Sequence, residues 1–479
     1  MKVGANQGVL IEWLEGRVLL ASDVVLDWNQ TMIDALRADY TKPGPTWASR
    51  TAAMVHMAIF DAVNGVERAW EPCVVKAKAP RGASAEAAAG VAAWRVLSGL
   101  YPDQKAMFDQ ALADSLAQVP DGKAEKQGVQ YGKHVGEAIL KKRRIDGSHK
   151  LVSYTPGTEV GEWRPTPPDY MMALSAGWGK VKPFAMASGK QFRPPAPPDL
   201  TSQEYTDAYN EVKELGRVDS TLRTDEMTEI GLFWAYDHEG MGSPVVMYNQ
   251  MTRVIARQEG NTMLQNARLF ALLNVSLGDA GIAAWDSKYH DNFWRPVTGI
   301  QLGDDDGNPD TLGEGTWMPL GAPGGAWPDF TPSFPAYVSG HSTFGAATVA
   351  VLQDFYGRDD IAFSLTSDEL PGVVRNYTSL SQAARENGMS RIFLGIHWRF
   401  DDIWGQETGR HVAEHVIHSM MLPRTHPSGV LTAPEDAAAR RESDAALPEL
   451  VPTVQEAGDS AAGDRYLLTL IQDDGSLLG

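Results

Sequence analysis

The sequence predicts an all-α protein of two helical bundles joined by long Pro/Gly-rich connections, with its chemistry in the C-terminal bundle. Three observations lead there. Apolar residues recur at helical spacing through much of residues 24–145 and 201–292. Strand signals, meaning short alternating runs bounded by turn residues, are few. Gly and Pro gather in two stretches, 153–200 and 302–335, which read as long ordered connections rather than flexible linkers.

Taken in order, residues 1–23 form a leader or an N-terminal arm. Glu12, Glu15 and Arg17 interrupt any apolar core, so a standard secretory signal is a poor match. A first bundle is expected over 24–200. In SRTAAMVHMAIFDAVNG (49–65), Val55, Ala58, Ile59 and Ala62 share one face, and Asn64-Gly65 is the expected stop. Residues 84–118 are Ala-rich with helical spacing, and 120–145 suit a polar-faced helix. The second bundle is expected over 201–425. There Phe344, Ala347, Val351 and Phe355 mark a buried stripe ended by Gly357, and 401–421 reads as a last long helix. Beyond, 426–479 is an acidic Ala/Pro-rich tail with the composition of an extended segment.

Composition excludes several classes. The formal net charge of −19 argues against general nucleic-acid binding, so any anion site must concentrate Lys and Arg locally. Cys73 is the only cysteine, which rules out an intrachain disulfide. No apolar run is expected to span a membrane.

Cationic and imidazole side chains concentrate in three separated segments. KYHDNFWRP carries Lys288, Arg295 and Pro296; FPAYVSGHSTFG carries Ser339, Gly340 and His341; SRIFLGIHWRFDD carries Ser390, Arg391, His397 and Asp401. Each alone has a plain explanation. Lys288 and Arg295, two helical turns apart, suit solvated surface charges; Ser339 suits a helix cap; Arg391 and Asp401 suit a salt bridge. Together they supply what an oxyanion with several oxygens requires: planar guanidinium donors, a compact ammonium, a hydroxyl and free helix-start N–H groups. Two histidines add a ligand or nucleophile and an acid/base. Asp401, four residues after His397, is placed to accept its other ring N–H and fix the tautomer.

The pattern Lys-x6-Arg-Pro, Ser-Gly-His, Ser-Arg-x5-His-x3-Asp resembles the three-part signature of the type 2 phosphatidic acid phosphatase superfamily. Its flanks, FPAY and SRIFLGIHWRFD with Trp285 three residues before Lys288, most resemble the vanadium-dependent chloroperoxidase branch. Val338 stands where that family usually has Pro. The resemblance implies one vanadate per chain with His397 as its only protein ligand. It implies that Lys288, Arg295, Ser339, Gly340 and Arg391 hold the other oxygens, that His341 is the acid/base, and that Lys288 polarises bound peroxide. Trp285 and Phe334 match positions on the halide side, although both also suit plain core. The implied activity is oxidation of chloride or bromide by hydrogen peroxide to hypohalous acid, which halogenates a small organic acceptor. The same residues suit an acid phosphatase working through a phosphohistidine at His397.

Two further matches remain. HVAEH (411–415) satisfies an inverted zinc-peptidase pattern with His411 and His415 as ligands. Leu14-Glu15-Gly16-Arg17-Val18-Leu19-Leu20 resembles leader segments of planctomycete exported and surface proteins, which implies export; without a leader the chain is cytoplasmic.

Overall fold

The computed structural model describes residues 23–40, 44–238, 240–326 and 328–424. The leader or arm, apart from Asp23, and the whole acidic tail lie outside the described residues. Among the described residues the protein has thirteen α-helices and one two-stranded antiparallel sheet.

Helix α1 (Val24–Arg37) begins at Asp23, whose carboxylate accepts the N–H groups of Val25 at 2.8 Å and Leu26 at 3.4 Å. Helix α2 (Pro45–Glu67) runs past the expected stop at Asn64-Gly65 and closes on Arg68, in the left-handed region at φ 67°. Gly65 has a different task. A Cβ there would lie 2.0 Å from the Tyr131 hydroxyl, so the missing side chain lets a neighbouring helix approach. The Ala-rich stretch splits into α3 (Ala85–Leu100) and α4 (Lys105–Leu116), because Pro102 cannot continue the first helix. Helix α5 (Lys123–Arg143) completes this half.

The connection over 144–202 contains only two short 3₁₀ turns. It is pinned rather than loose: the Asp279 carboxylate accepts the consecutive N–H groups of Phe184, Ala185 and Met186 at 2.6–2.8 Å. Helices α6 (Gln203–Leu215), α7 (Asp225–Phe233), α8 (Pro244–Gln258) and α9 (Met263–Asp291) follow. Helix α9 is the axle of the molecule, packing along α2, α11 and α13. By length and composition it is apolar enough to cross a membrane, contrary to the sequence expectation, yet the apolar stretch is entirely buried within the protein. Its hydrophobicity serves a core position walled by other helices.

Past α9 come α10 (Pro296–Gln301), α11 (Gly340–Tyr356), α12 (Leu380–Phe393) and α13 (Arg399–Ser419). Strands β1 (Phe363–Thr366) and β2 (Val374–Tyr377) lie between α11 and α12, with Phe363 opposite Tyr377. Gly357 ends α11 in the left-handed region at φ 69°, as the sequence suggests.

Helices α11 and α13 carry much of the site, and two glycines set their spacing. A Cβ on Gly405 would sit 2.8 Å from the Ser339 carbonyl oxygen, and one on Gly409 would sit 2.1 Å from that of Thr343. Both obstacles are backbone and cannot swing away. Gly409→Ala is therefore expected to force the helices apart at a cost of about 1–3 kcal/mol. Urea unfolding checks this; an unchanged midpoint would show that the contact is slack.

Candidate active site

The two helical ends and one loop that meet at the site are bound by a single aspartate, Asp401, through its side chain and its backbone carbonyl. His397 lies just before α13, and its Nδ1 is 2.8 Å from Asp401 Oδ2. The same oxygen accepts the Trp398 backbone N–H at 3.0 Å, capping α13. The Asp401 backbone carbonyl accepts the N–H of Ser339 at 2.9 Å, which fixes the start of α11 against the start of α13. With Nδ1–H donated to Asp401, His397 keeps its lone pair on Nε2. Burial is the main reason His397 stays neutral, its pKa lying well below the usual imidazole value, with the Arg295, Lys288 and Arg391 charges adding to it.

The cations come from three places. Lys288 is on the last turn of α9; after Asn292, in the left-handed region at φ 51°, the chain turns so that Arg295 precedes α10. That turn, rather than two turns of helix, brings the pair together, and neither is exposed to solvent. The FPAY segment lies across both. Lys288 Nζ donates to the Pro335 and Ala336 carbonyls at 2.9 Å each, and Arg295 Nε donates to the Phe334 carbonyl at 2.8 Å. The Phe334 ring centroid is 4.8 Å from Lys288 Nζ and 4.9 Å from Arg295 Cζ. Burial, with the Arg295 charge, lowers the Lys288 pKa well below its usual value, and burial lowers Arg295 to about 10.

Arg391, on α12, pairs with Asp237 at 2.7 Å and not with Asp401, which corrects the simple salt-bridge reading. Its Nε donates to the Ser390 hydroxyl at 3.1 Å. His341, in the first turn of α11, has Nε2 2.8 Å from the Ala235 carbonyl and Nδ1 3.4 Å from Arg391 Nη1. Donation from Nε2–H to that carbonyl leaves the lone pair on Nδ1. Burial, aided by the Arg391 charge, holds the His341 pKa down at about 3. Ser339 caps α11, accepting from the Ser342 N–H and hydroxyl at 3.3 and 2.9 Å, which leaves its own O–H to donate elsewhere.

Three cations thus face two carboxylates, Asp237 and Asp401, around neutral histidines. Arg295 Nη2 and Arg391 Nη2 are buried without a hydrogen-bond partner. A buried guanidinium N–H costs free energy unless an acceptor meets it, so the donor set fits an anion with several oxygens. The cavity is lined by Trp285, Phe334, Gly340, His341, Arg391 and His397, among others. At about 10 Å³ it is near the volume open to one water. The Trp285 and Phe334 rings, with centroids 4.9 Å apart and planes tilted by 54°, form one wall. Val338 is fully buried.

Asp237 was not marked by any spacing in the sequence, nor were the carbonyls of Ala235 and residues 334–336. The zinc pattern fares differently. His411 Nε2 faces Glu407 at 3.0 Å, His415 Nε2 faces the Ala185 carbonyl at 3.3 Å, and Glu414 accepts from Arg410. Among the described residues no group of three or more His, Cys, Asp or Glu is placed to hold a metal ion, so the peptidase reading has no third ligand.

Residues 268–424 match the family described as the VCPO second helical-bundle domain. The vanadium chloroperoxidase of Curvularia inaequalis is 31% identical over an alignment covering 79% of each chain. Among solved structures, the first bacterial vanadium-dependent iodoperoxidase superposes with a TM-score of 0.69 at 27% identity, covering 84% of this chain and 97% of that one. A holo-type bacterial vanadium-dependent chloroperoxidase superposes with a TM-score of 0.62, covering 82% and 96%; at 16% identity this likeness speaks to the fold.

The unmatched donors predict oxyanion-linked stability. Inorganic phosphate is expected to add about 2.7 kcal/mol at a hundred times its Kd. Lys288→Met is expected to fold and to lose most of that gain. Calorimetry with and without phosphate decides; equal responses from both proteins would place the anion elsewhere.

Proposed function

The chain belongs to the vanadium haloperoxidase family, and from that premise we propose that it oxidises chloride or bromide with hydrogen peroxide to hypohalous acid. The observation that carries the reading is the buried cation cluster with unmatched guanidinium N–H groups beside a histidine whose other nitrogen is fixed by a carboxylate.

The residues present fit vanadate. His397 would bind the metal through Nε2, the nitrogen that Asp401 leaves free. Arg295 Nη1 lies 3.0 Å from that nitrogen, so ligation requires the guanidinium to turn off the lone pair. Lys288, Arg295, Arg391, the Ser339 hydroxyl and the Gly340 N–H would hold the oxygens. Gly340 opens α11, where the first N–H groups have no acceptor within the helix. When bound, vanadate supplies Lewis acidity that makes peroxide reactive toward halide without a change of oxidation state.

The chain's own side chains do the rest. Neutral His341 takes a proton from peroxide at Nδ1, because Nε2–H is committed to the Ala235 carbonyl. The Lys288 ammonium, held by two carbonyls, directs positive charge toward the reacting oxygen. Trp285 and Phe334 provide an apolar wall where a partly desolvated halide can rest near those cations. Phe334 in that position supports chloride competence. The similarity to both a chloroperoxidase and an iodoperoxidase makes the relative rates with chloride, bromide and iodide the measure of halide choice.

The test is halogenation of a chlorination-sensitive dione by purified protein with peroxide and halide, before and after orthovanadate. A rate that appears only with vanadate and falls as phosphate competes supports the reading. Hydrolysis of an aryl phosphate without halogenation moves the protein to the phosphatases. His397→Ala is expected to abolish vanadate-dependent turnover. His341→Ala is expected to retain vanadate and lose about a hundredfold or more in rate. Unchanged kinetics in the second variant removes His341 from the mechanism.

A further inference from the structure

Residues 166–175 form a ledge on the wall of the cavity mouth. At one end the Thr166 hydroxyl donates to the Thr331 carbonyl at 3.5 Å. At the other, the Leu174 N–H donates to the Ser333 carbonyl at 2.9 Å, and the Thr46 and Ser175 hydroxyls are 3.1 Å apart. The Leu174 carbonyl accepts from the Trp285 indole N–H at 3.3 Å and the Tyr289 hydroxyl at 2.6 Å. Its neighbours Pro45, Trp285, Pro332 and Phe334 line the cavity. The ledge is therefore anchored to the residues that wall the cavity, although none of its own residues lines it.

Between those anchors the chain lifts into solvent. Tyr170 and Ser175 both sit in the left-handed region, at φ 50° and 59°, and bracket the lifted stretch. Tyr170, Met171 and Met172 are 63%, 62% and 70% exposed. A trans chain advances at most about 3.6 Å per residue, which keeps the Met172 Cα within about 7 Å of Leu174 and the Met171 Cα within about 11 Å. Nothing in the packing requires two thioethers here, since neither is buried against the core. The chain's one cysteine is not a competing sulfur sink: burial, with the Asp61 charge, pushes the Cys73 thiol pKa well up and suppresses the reactive thiolate.

We propose that Met171 and Met172 are the enzyme's own site of oxidative modification, intercepting hypohalous acid as it leaves the cavity. This rests on the haloperoxidase reading. A thioether sulfur lone pair attacks the halogen of HOX, forming a sulfur–halogen bond as the halogen–oxygen bond breaks. Water then adds to sulfur and halide departs. The balance is R₂S + HOX → R₂S=O + H⁺ + X⁻; sulfur loses two electrons and the halogen gains two. The products are two methionine sulfoxides, which turn an apolar rim polar and are reducible back to the thioether.

The experiment is peptide mapping by mass spectrometry of the vanadate-loaded enzyme during turnover with peroxide, bromide and the dione. Met107 and Met318, exposed elsewhere, serve as internal references. Exposure alone favours the rim pair by a factor of about two, 62% and 70% against 36% and 38%. Release at the rim is expected to raise that preference to the order of tenfold, because a source beside its target raises the local concentration. Reagent hypobromite added to the vanadate-free protein should give only the exposure ratio. The double variant Met171→Leu/Met172→Leu is expected to halogenate the dione at the unchanged initial rate while losing the early gain of two oxygens. Dione halogenation with no excess at the rim over the reagent control overturns this inference alone. Absence of any halogenation overturns the activity it rests on, and this inference with it.

Discussion

The constraint on which the site depends is one buried carboxylate at the start of α13. Asp401 does three jobs with adjoining atoms. Its side chain sets the His397 tautomer and caps the helix, and its backbone carbonyl holds Ser339 at the head of α11. A change in its position moves the nitrogen that would bind metal and the helix start that would bind oxygen together. Burial pushes the Asp401 pKa up to about 7, so the carboxylate depends on neighbouring N–H groups and cations to remain charged. The cations in turn need an anion. The Asp401 charge likewise favours the protonated forms of Lys288 and Arg295, so cluster and carboxylate support one another.

The cations are tolerated because backbone carbonyls meet them before any ligand does. Lys288 and Arg295 take four carbonyl contacts between them, from residues 334–336 and from Ile396. Those carbonyls belong to the segments that end in Ser339 and His397. The segments that satisfy the cations are thus the segments that deliver the hydroxyl and the two imidazoles. Gly405 and Gly409 complete the arrangement by letting α13 lie against the carbonyls of α11. In a chain of net charge −19 this is how positive potential is concentrated at one place.

What the sequence made legible was chemistry carried by adjacency. Ser339-Gly340-His341 and His397-x3-Asp401 act across a few residues, so their spacing survives in the linear chain, and the mainly helical fold follows from local periodicity. Contacts created only by the fold were hidden. Asp237 reaches Arg391 across 154 residues, and no pattern around it marks the pairing. Lys288 and Arg295 looked like a helical pair, yet the left-handed residue Asn292 breaks the helix between them. Asn64-Gly65 looked like a stop because glycine often ends helices, whereas here the glycine answers to the Tyr131 hydroxyl on another helix. No apolar run of spanning length is expected from the sequence, yet the apolar stretch of α9 meets the length and composition of a span, and the surrounding helices show that it is core.

The size of the cavity bears on what kind of reaction the proposed site can run. A volume near 10 Å³ is about that of one water, so an oxyanion is admitted only as side chains such as Arg295, which faces the His397 lone pair, turn aside. An organic acceptor does not fit behind Trp285 and Phe334. On the haloperoxidase reading, selectivity for the acceptor then cannot arise from enclosure, and the oxidant must leave before it reacts. Carbon–halogen bond formation belongs to the rim and the solvent beyond it. The interior needs only to exclude large molecules, keep two histidines neutral and hold one anion. That division accords with a centre whose donors are each tied down, Lys288 and Arg295 by backbone carbonyls and Arg391 by Asp237 and the Ser390 hydroxyl, beside walls that include proline-bearing loops and a nearby exposed ledge.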